Sequence, residues 1–158
     1  MNEGIAADVK VIVFLLKDEE YGVEVEQVRS IERLEHVTRV PSTPDFVEGV
    51  INLRGVVTPI IDLRKRFGIE EAPHSESTRV IIVTVNQMDV GLVVDSANDV
   101  IDIARDAVEP PPEVVGGLEA EYIRGVAKLE KRLLILLNLE KVLNPNELQE
   151  LQEIEGTV

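Results

Sequence analysis

Three runs of the chain are apolar at nearly every position, a pattern typical of β-strands that are buried on both faces. They span residues 11–16, 80–85 and 133–139. Residues 21–25 instead alternate between larger apolar side chains and smaller or polar ones, which predicts a half-buried strand that pairs back as a hairpin. Further strands are expected from the apolar residues at 90–94, 100–103 and 122–129. The pattern therefore predicts a mainly β protein.

The segment 46–68 is rich in aliphatic residues, yet a charged side chain interrupts it. Two β-type runs, 49–53 and 56–63, flank the step Arg54-Gly55. This arrangement predicts either two buried strands or one long strand with a sharp bend, and glycine tolerates the backbone angles of such a bend. Arg54 would then present a rigidly held guanidinium for contact. Alternatively, Arg54 pairs with a nearby carboxylate and caps the fold, and the sequence leaves both interpretations open.

Short helical and irregular segments separate the predicted strands. Asp62 is placed to cap a basic turn that stops at Gly68. Residues 69–78 are polar and contain a proline, which indicates a linker. Residues 28–34 carry apolar side chains at every third position, so they fit either a helical turn or an irregular strand.

The two ends of the chain and one proline-rich loop are predicted to lie outside the β-strands. Three consecutive prolines at 110–112 exclude regular structure there. A C-terminal helix is predicted at 144–156, where Asn144 and the following proline form a typical helix start. Residues 1–8 are expected to be a flexible tail.

The two halves of the chain resemble each other. Three matches carry the similarity: 21–25 with 90–94 at an offset of 69, 53–56 with 123–126 at an offset of 70, and 60–65 with 136–141 at an offset of 76. The second match places Arg54-Gly55 on Arg124-Gly125, and the extra six residues fall around a hairpin at 128–132. The repeat predicts two similar β units, each a closed or nearly closed barrel, over a shared core.

Composition narrows the possible partners. The chain has 158 residues, no cysteine and a net charge of −14. It can bury a sizeable core without disulfides, and its negative field disfavours nucleic acid and anionic membrane surfaces as partners. No apolar run approaches the roughly 20 residues that span a bilayer, and the first residues lack the pattern of a signal peptide. A cytoplasmic location without membrane insertion is expected.

Candidate chemistry is sparse. The two histidines, His36 and His74, have no partner at metal-ligand spacing, so no metal site is expected. Phosphate-binding glycine motifs and a nucleophile elbow are absent from the sequence. An acid dyad drawn from equivalent places in the two halves is disfavoured, because Asp62 is matched by Asn138. The sequence therefore indicates a binding module that is not an enzyme and needs no cofactor.

Several motifs together resemble the CheW family of bacterial chemotaxis coupling proteins. The most specific is GVINLRGVVTPIIDLRKRFG, supported by DEEYGVEVEQVRSIERL, VTRVPSTPDFVEG, VGLVVDSANDVIDI and NLEKVLN. The resemblance covers residues 9–143. It implies a single domain of two intertwined, five-stranded SH3-like β-barrel subdomains, roughly 11–68 and 80–143, packed over a shared hydrophobic core.

The resemblance also implies a function. Family members link the cytoplasmic tips of chemoreceptors to the histidine kinase CheA, through its regulatory domain, within receptor arrays at the membrane. The arginine of the family's N-L-R-G motif falls on Arg54, and a functional glycine ahead of it falls on Gly49. Receptor-contact positions in the groove between barrels fall on Val28, Ile31 and Val100. Plain core packing is the alternative role for these three aliphatic residues.

Two settings fit such a module. It could couple chemoreceptors to CheA, or it could be a CheW-like scaffold or a decoupling competitor in another receptor–kinase system. The proline-rich segment 109–113 departs from the family pattern, which puts any contact made by that loop in doubt.

Overall fold

A computed structural model describes residues 8–111, 114–115, 118–143 and 146–147. The strands in these ranges are β1 Val9–Leu16, β2 Glu19–Glu24, β3 Val28–Arg33, β4 Val47–Leu53, β5 Val56–Asp62, β6 Arg79–Val85, β7 Met88–Val94, β8 Ser96–Ile103, β9 Val108–Glu109, β10 Val114–Val115, β11 Leu118–Glu119, β12 Ile123–Leu129 and β13 Arg132–Leu137. The α-helices are α1 Leu63–Arg66 and α2 Leu139–Val142. The predicted tail at 1–8 and helix at 144–156 lie outside the described residues, except at residues 8, 146 and 147.

Two large sheets confirm the predicted mainly β class. One has five strands in the order β3-β6-β7-β5-β4, and the other has six in the order β8-β1-β2-β13-β12-β9. The sixth strand is the two-residue β9, which extends an otherwise five-stranded sheet. A separate hairpin joins β10 to β11.

Each large sheet bends back toward its own first strand. Thr38, on the segment that leaves β3, bridges Val50 on β4 at the opposite edge of the five-stranded sheet. In the six-stranded sheet β9 does the same, since it follows β8 and pairs with β12. Within the described part of the chain, no pairing joins β3 to β4 or β8 to β12 directly. The mainly β class is thus confirmed, whereas closure of either sheet into a barrel stays a prediction, since only the crossing segments link the edges of each sheet.

The two sheets exchange hairpins between the halves of the sequence. The β1–β2 hairpin completes the sheet of β12 and β13 through the parallel pair β2–β13. The β6–β7 hairpin completes the sheet of β4 and β5 through the parallel pair β7–β5. Sheet membership therefore crosses the expected boundary between 11–68 and 80–143, and the division into subdomains stays a prediction.

The continuous apolar runs have two buried faces. On β1, Ile12 and Phe14 lie in a core shared by both sheets, whereas Val11 and Val13 lie in a second core formed by the six-stranded sheet alone. Side chains alternate along a strand, so one run supplies both cores. On β6, Ile81 likewise faces the shared core, and its neighbours face a third core formed by the five-stranded sheet.

Strand registers give the repeat an offset of 76 throughout β4, β5, β12 and β13. Both hairpins begin with a bulge at a glycine, Gly49 opposite Ile60 and Gly125 opposite Leu136. The predicted match of Arg54-Gly55 with Arg124-Gly125 is therefore wrong: the first is the hairpin turn, while the second lies at the bulge. The additional residues belong to the segment between β8 and β12, not to the turn at 128–132.

The offset of 69 holds for the remaining strands. Gly22 lies opposite Leu136 in the parallel pair, and Gly91 lies opposite Ile60 in the other sheet. A methyl group on Gly22 would lie 2.5 Å from Val11 Cγ1, and one on Gly91 would lie 2.5 Å from Ile60 Cδ1. Both hairpins therefore need a glycine at the same position.

All five aromatic residues of the chain are connected, four by ring contacts and the fifth, Phe46, through Arg66. They are Phe14, Tyr21, Phe46, Phe67 and Tyr122. Phe14 stacks on Tyr21 with centroids 5.8 Å apart, and Phe67 bridges Tyr21 to Tyr122. The Arg66 guanidinium lies 4.6 Å from the Phe46 centroid and 5.5 Å from the Tyr122 centroid. Burial, with a smaller effect of Glu19, raises the pKa of Tyr21 to about 12, so the ring stays neutral.

Helix α1 begins as predicted, with Asp62 Oδ1 accepting from Arg64 N at 2.9 Å. The side chain of Arg64, the second residue of α1, connects this helix to the segment between β7 and β8. Arg64 Nε donates to Asp95 Oδ1 at 2.8 Å, and Nη2 donates to Oδ2. The backbone amide of Lys17, in the β1–β2 turn, donates to Asp95 Oδ2 at 2.7 Å. Burial alone would raise the pKa of Asp95, but these hydrogen bonds and the Arg64 charge outweigh it and lower the pKa.

Gly49→Ala is expected to lower the free energy of unfolding by about 2–4 kcal/mol, from crowding plus backbone strain. A methyl group there would lie 2.2 Å from Thr38 O, and Gly49 has φ of +148°. Denaturant unfolding measures the loss. Gly68→Ala is the control, because its φ of +72° is strained but nothing lies within 4 Å. Equal losses in the two variants would show that the Thr38 contact is unimportant.

Asp95→Asn is expected to lower the free energy of unfolding near neutral pH by about 1–3 kcal/mol. A carboxyl group with a lowered pKa stabilises the fold above its unfolded-state pKa of about 4, and this contribution disappears as pH falls through the lowered value. Denaturant unfolding of both proteins from pH 7 downward should therefore show a difference that shrinks below about pH 4. A difference that stays constant into strong acid would contradict this role of Asp95.

Candidate partner-binding surface

The β4–β5 hairpin presents Arg54 at a two-residue turn. Leu53 pairs with Val56, and both turn residues have positive φ, 51° at Arg54 and 88° at Gly55. Positive φ at both central positions is the conformation of the type I′ hairpin turn, which suits the twist of antiparallel strands. Asn52 Oδ1 accepts from Gly55 N at 2.7 Å and fixes the turn. Of the two interpretations of this segment, the structure shows two strands with Arg54 at the bend.

The Arg54 side chain is paired and still accessible. Its Nη2 donates to Glu32 Oε2 at 3.2 Å, while 73% of the Arg54 side chain remains exposed. Glu32 is partly exposed, with 24% of its side chain accessible to solvent. The pairing predicted as an alternative therefore exists, but it orients the guanidinium without covering it. An exposed pair of this kind contributes little stability.

Ile31 and Val100 occupy equivalent positions on the two edge strands. Ile31 on β3 lies opposite Ile81, and Val100 on β8 lies opposite Ile12. Opposite residues of an antiparallel pair share a face. Both residues therefore lie on the face that carries the shared core, yet Ile31 is 41% exposed and Val100 is 52% exposed. They extend the apolar surface of that core to solvent.

Val28 and Gly49 have different surroundings. Val28 lies opposite Val83 and is partly buried against the shared core. Gly49 lies at the β4 bulge beneath Thr38, where it makes room for a backbone carbonyl. The structure thus places Val28 and Ile31 on one strand. It places Arg54 with Glu32, which lies on the other face of β3 from Ile31.

Sequence patterns missed two exposed aliphatic residues near hairpin turns. Val56, directly after the Arg54-Gly55 turn, is 58% exposed, and Leu133, directly after the first residue of β13, is 48% exposed. Both belong to apolar runs, so the sequence predicts burial. The signal that could have revealed them is their closeness to a hairpin turn, since the turn end of a hairpin extends beyond the core.

A carboxyl pair lies beneath the 69–78 segment. Burial, followed by a hydrogen bond with Asp62, raises the pKa of Glu48, and His74 Nε2 lies 3.8 Å from Glu48 Oε1. Asp62 is occupied as the cap of α1. No group of three or more potential metal ligands occurs among the described residues.

No helix within the described ranges is long and apolar enough to cross a membrane.

Comparison with known proteins gives consistent matches. The CheW-like domain family model matches residues 10–147. A chemotaxis protein CheW of Klebsiella aerogenes is 42% identical over 87% of this chain and 82% of its own length. One of Bacillus subtilis is 42% identical over 91% of this chain and 92% of its own length.

A solved structure extends the similarity to three dimensions. The scaffolding protein TtCheW from Thermoanaerobacter tengcongensis superposes with a TM-score of 0.83 at 35% identity, covering 93% of this chain and 95% of that one. Together with the two-sheet fold, these matches place the chain in the class of chemotaxis scaffold or adaptor proteins. Within that class, the chain belongs to the CheW-like family of bacterial chemotaxis.

Val28→Ser and Ile31→Ser are expected to differ in their effects on stability. Val28 packs on the shared core, so its replacement should lower the free energy of unfolding by about 1–3 kcal/mol. Ile31 is 41% exposed, so its replacement should cost about 0.5 kcal/mol or less. Denaturant unfolding measures both, and equal losses would mean that Ile31 is a core residue.

Proposed function

We propose that this protein couples the cytoplasmic tips of chemoreceptors to the histidine kinase CheA, so that receptor state controls kinase activity. The observation that carries the proposal is the pair of exposed aliphatic residues at equivalent edge positions, Ile31 and Val100. Two such positions at the margin of one core offer an apolar surface suited to the apolar face of a helix. The receptor tip is the helical partner in this proposal.

The corner arginine supports a second contact. Arg54 lies on a turn fixed by Asn52 and is oriented by Glu32, so its donors are preorganised for a carboxylate or carbonyl group of a partner. It lies toward the face of β3 opposite Ile31, which leaves the two surfaces free to contact different molecules. We assign the Arg54 corner to the coupling of receptor and kinase, and Ile31 and Val100 to the receptor tip.

The mode of action in this proposal is contact without catalysis. The protein would act in the cytoplasm, held at receptor arrays by its partners and not by insertion into the membrane. It would bind the regulatory domain of CheA and a receptor-tip fragment with roughly micromolar affinity. A reconstituted mixture of kinase, receptor fragment and this protein tests coupling directly. Kinase activity that rises only when all three are present supports a coupler, whereas activity that falls when the protein is added identifies a decoupling competitor.

Arg54→Ala should reduce receptor-dependent kinase activation by about tenfold or more, the effect typical of an arginine at the centre of an interface. The free energy of unfolding should change by about 1 kcal/mol or less, because the Arg54–Glu32 pair is exposed. Kinase assays with the reconstituted components measure the first effect, and denaturant unfolding measures the second.

Arg124→Ala is the matched control. Arg124 is the other arginine that precedes a glycine, its side chain is 56% exposed, and it also pairs with one glutamate, Glu24. It lies in the β12 bulge and not at a turn. Full activation by the Arg54 variant, or an equal loss in both variants, would remove Arg54 from the coupling surface.

A further inference from the structure

Two arginines lie directly opposite each other beside Ile31. Arg33, the last residue of β3, pairs in register with Arg79, the first residue of β6. Side chains alternate along a strand, so Arg33 shares the face of Ile31, and Arg79 shares the face of Ile81. Both arginines therefore continue the face of the shared core outward beyond the exposed Ile31.

The other sheet shows the same position with opposite charges. The offset of 69 places Asp102 at the position of Arg33 and Lys10 at the position of Arg79. Lys10 Nζ lies 3.9 Å from Asp102 Oδ1. One edge thus carries a neutralised pair beside Val100, whereas the equivalent edge carries two positive charges beside Ile31.

Neither arginine of this pair has an ion-pair partner within the described part of the chain, although the protein has a net charge of −14. No described carboxylate lies within ion-pair distance of Arg33 or Arg79. Arg79 Nη1 donates to the carbonyl oxygens of Glu76 and Thr78 at 2.8 Å, which holds its guanidinium in place. Like charges directly opposite each other on a sheet are destabilising.

We infer that Arg33 and Arg79, together with Ile31, form a carboxylate-recognition site for the helical receptor tip. This assignment rests on the proposed function. A helix that places an apolar residue on Ile31 would place its next turn near Arg33, because residues two apart on a strand are about 6.6 Å apart and a helical turn rises about 5.4 Å. A carboxylate there can accept from both guanidinium groups, which relieves their repulsion.

The site makes the two edges of the receptor-binding surface of this protein different in charge, which gives a bound helix a preferred orientation. A helix must place its carboxylates at the β3 edge, since the equivalent edge at Asp102 and Lys10 is already neutral. Charge complementarity of this kind fixes orientation and register. It also predicts that receptor binding weakens as salt concentration rises, because exposed charges are screened.

Arg33→Asp tests the inference, because it recreates at the β3 edge the neutral pair seen between Asp102 and Lys10. The variant should unfold no more easily than the original protein. Its affinity for a receptor-tip fragment, measured by calorimetry, should fall about tenfold or more, the loss expected when a charge-assisted hydrogen bond is replaced by repulsion. The affinity of the variant should also depend less steeply on salt concentration.

Arg105→Asp is the matched control, since it makes the same charge change at an exposed residue beyond β8. Unchanged receptor affinity in this variant, alongside the loss in Arg33→Asp, supports the site. Equal affinities of Arg33→Asp and the original protein overturn the inference and leave the proposed function standing. Absence of receptor binding by the original protein overturns both. A loss of affinity for the CheA regulatory domain alone would mean that the site serves the kinase, which also overturns the inference.

Discussion

The structure depends on strands that are buried on both faces. β1 sends Ile12 and Phe14 into the core between the sheets and Val11 and Val13 into a separate core, and β6 divides its side chains in the same way. A strand with two apolar faces cannot lie at a surface, so each must be covered by its own curled sheet and by the neighbouring sheet. This requirement joins two similar β units into one body and leaves the edge strands β3 and β8 at the margin of their common core.

Much of the fold can be predicted from hydrophobic periodicity alone. The runs at 11–16 and 80–85 are the central strands, and the Arg54-Gly55 step is a hairpin turn because glycine and a single polar residue interrupt two apolar runs. The capping role of Asp62 follows from its position before a basic turn. These features are local, so the sequence determines them without knowledge of which strands pair.

The misjudged features are the ones set by long-range pairing. Arg54 and Arg124 match in the sequence because a glycine follows each of them. Strand register nevertheless places Arg124 at a bulge, and the residue equivalent to Arg54 is the turn residue Glu130. The exchange of hairpins between the sheets is invisible to periodicity. Hydrophobic periodicity also gives no indication that Arg33 lies opposite Arg79, because the two residues are far apart in the sequence and come together only when β3 pairs with β6. Val56 is exposed although it belongs to an apolar run, and its closeness to the hairpin turn is the sequence signal for that exposure.

The central claim is that one molecule contacts receptor and kinase at the same time through separate surfaces. Analytical ultracentrifugation with the receptor-tip fragment and the CheA regulatory domain carrying different absorbing labels measures this directly. The account predicts one sedimenting species that contains both labels together with this protein. Two separate species, with one partner displacing the other as its concentration rises, would contradict it.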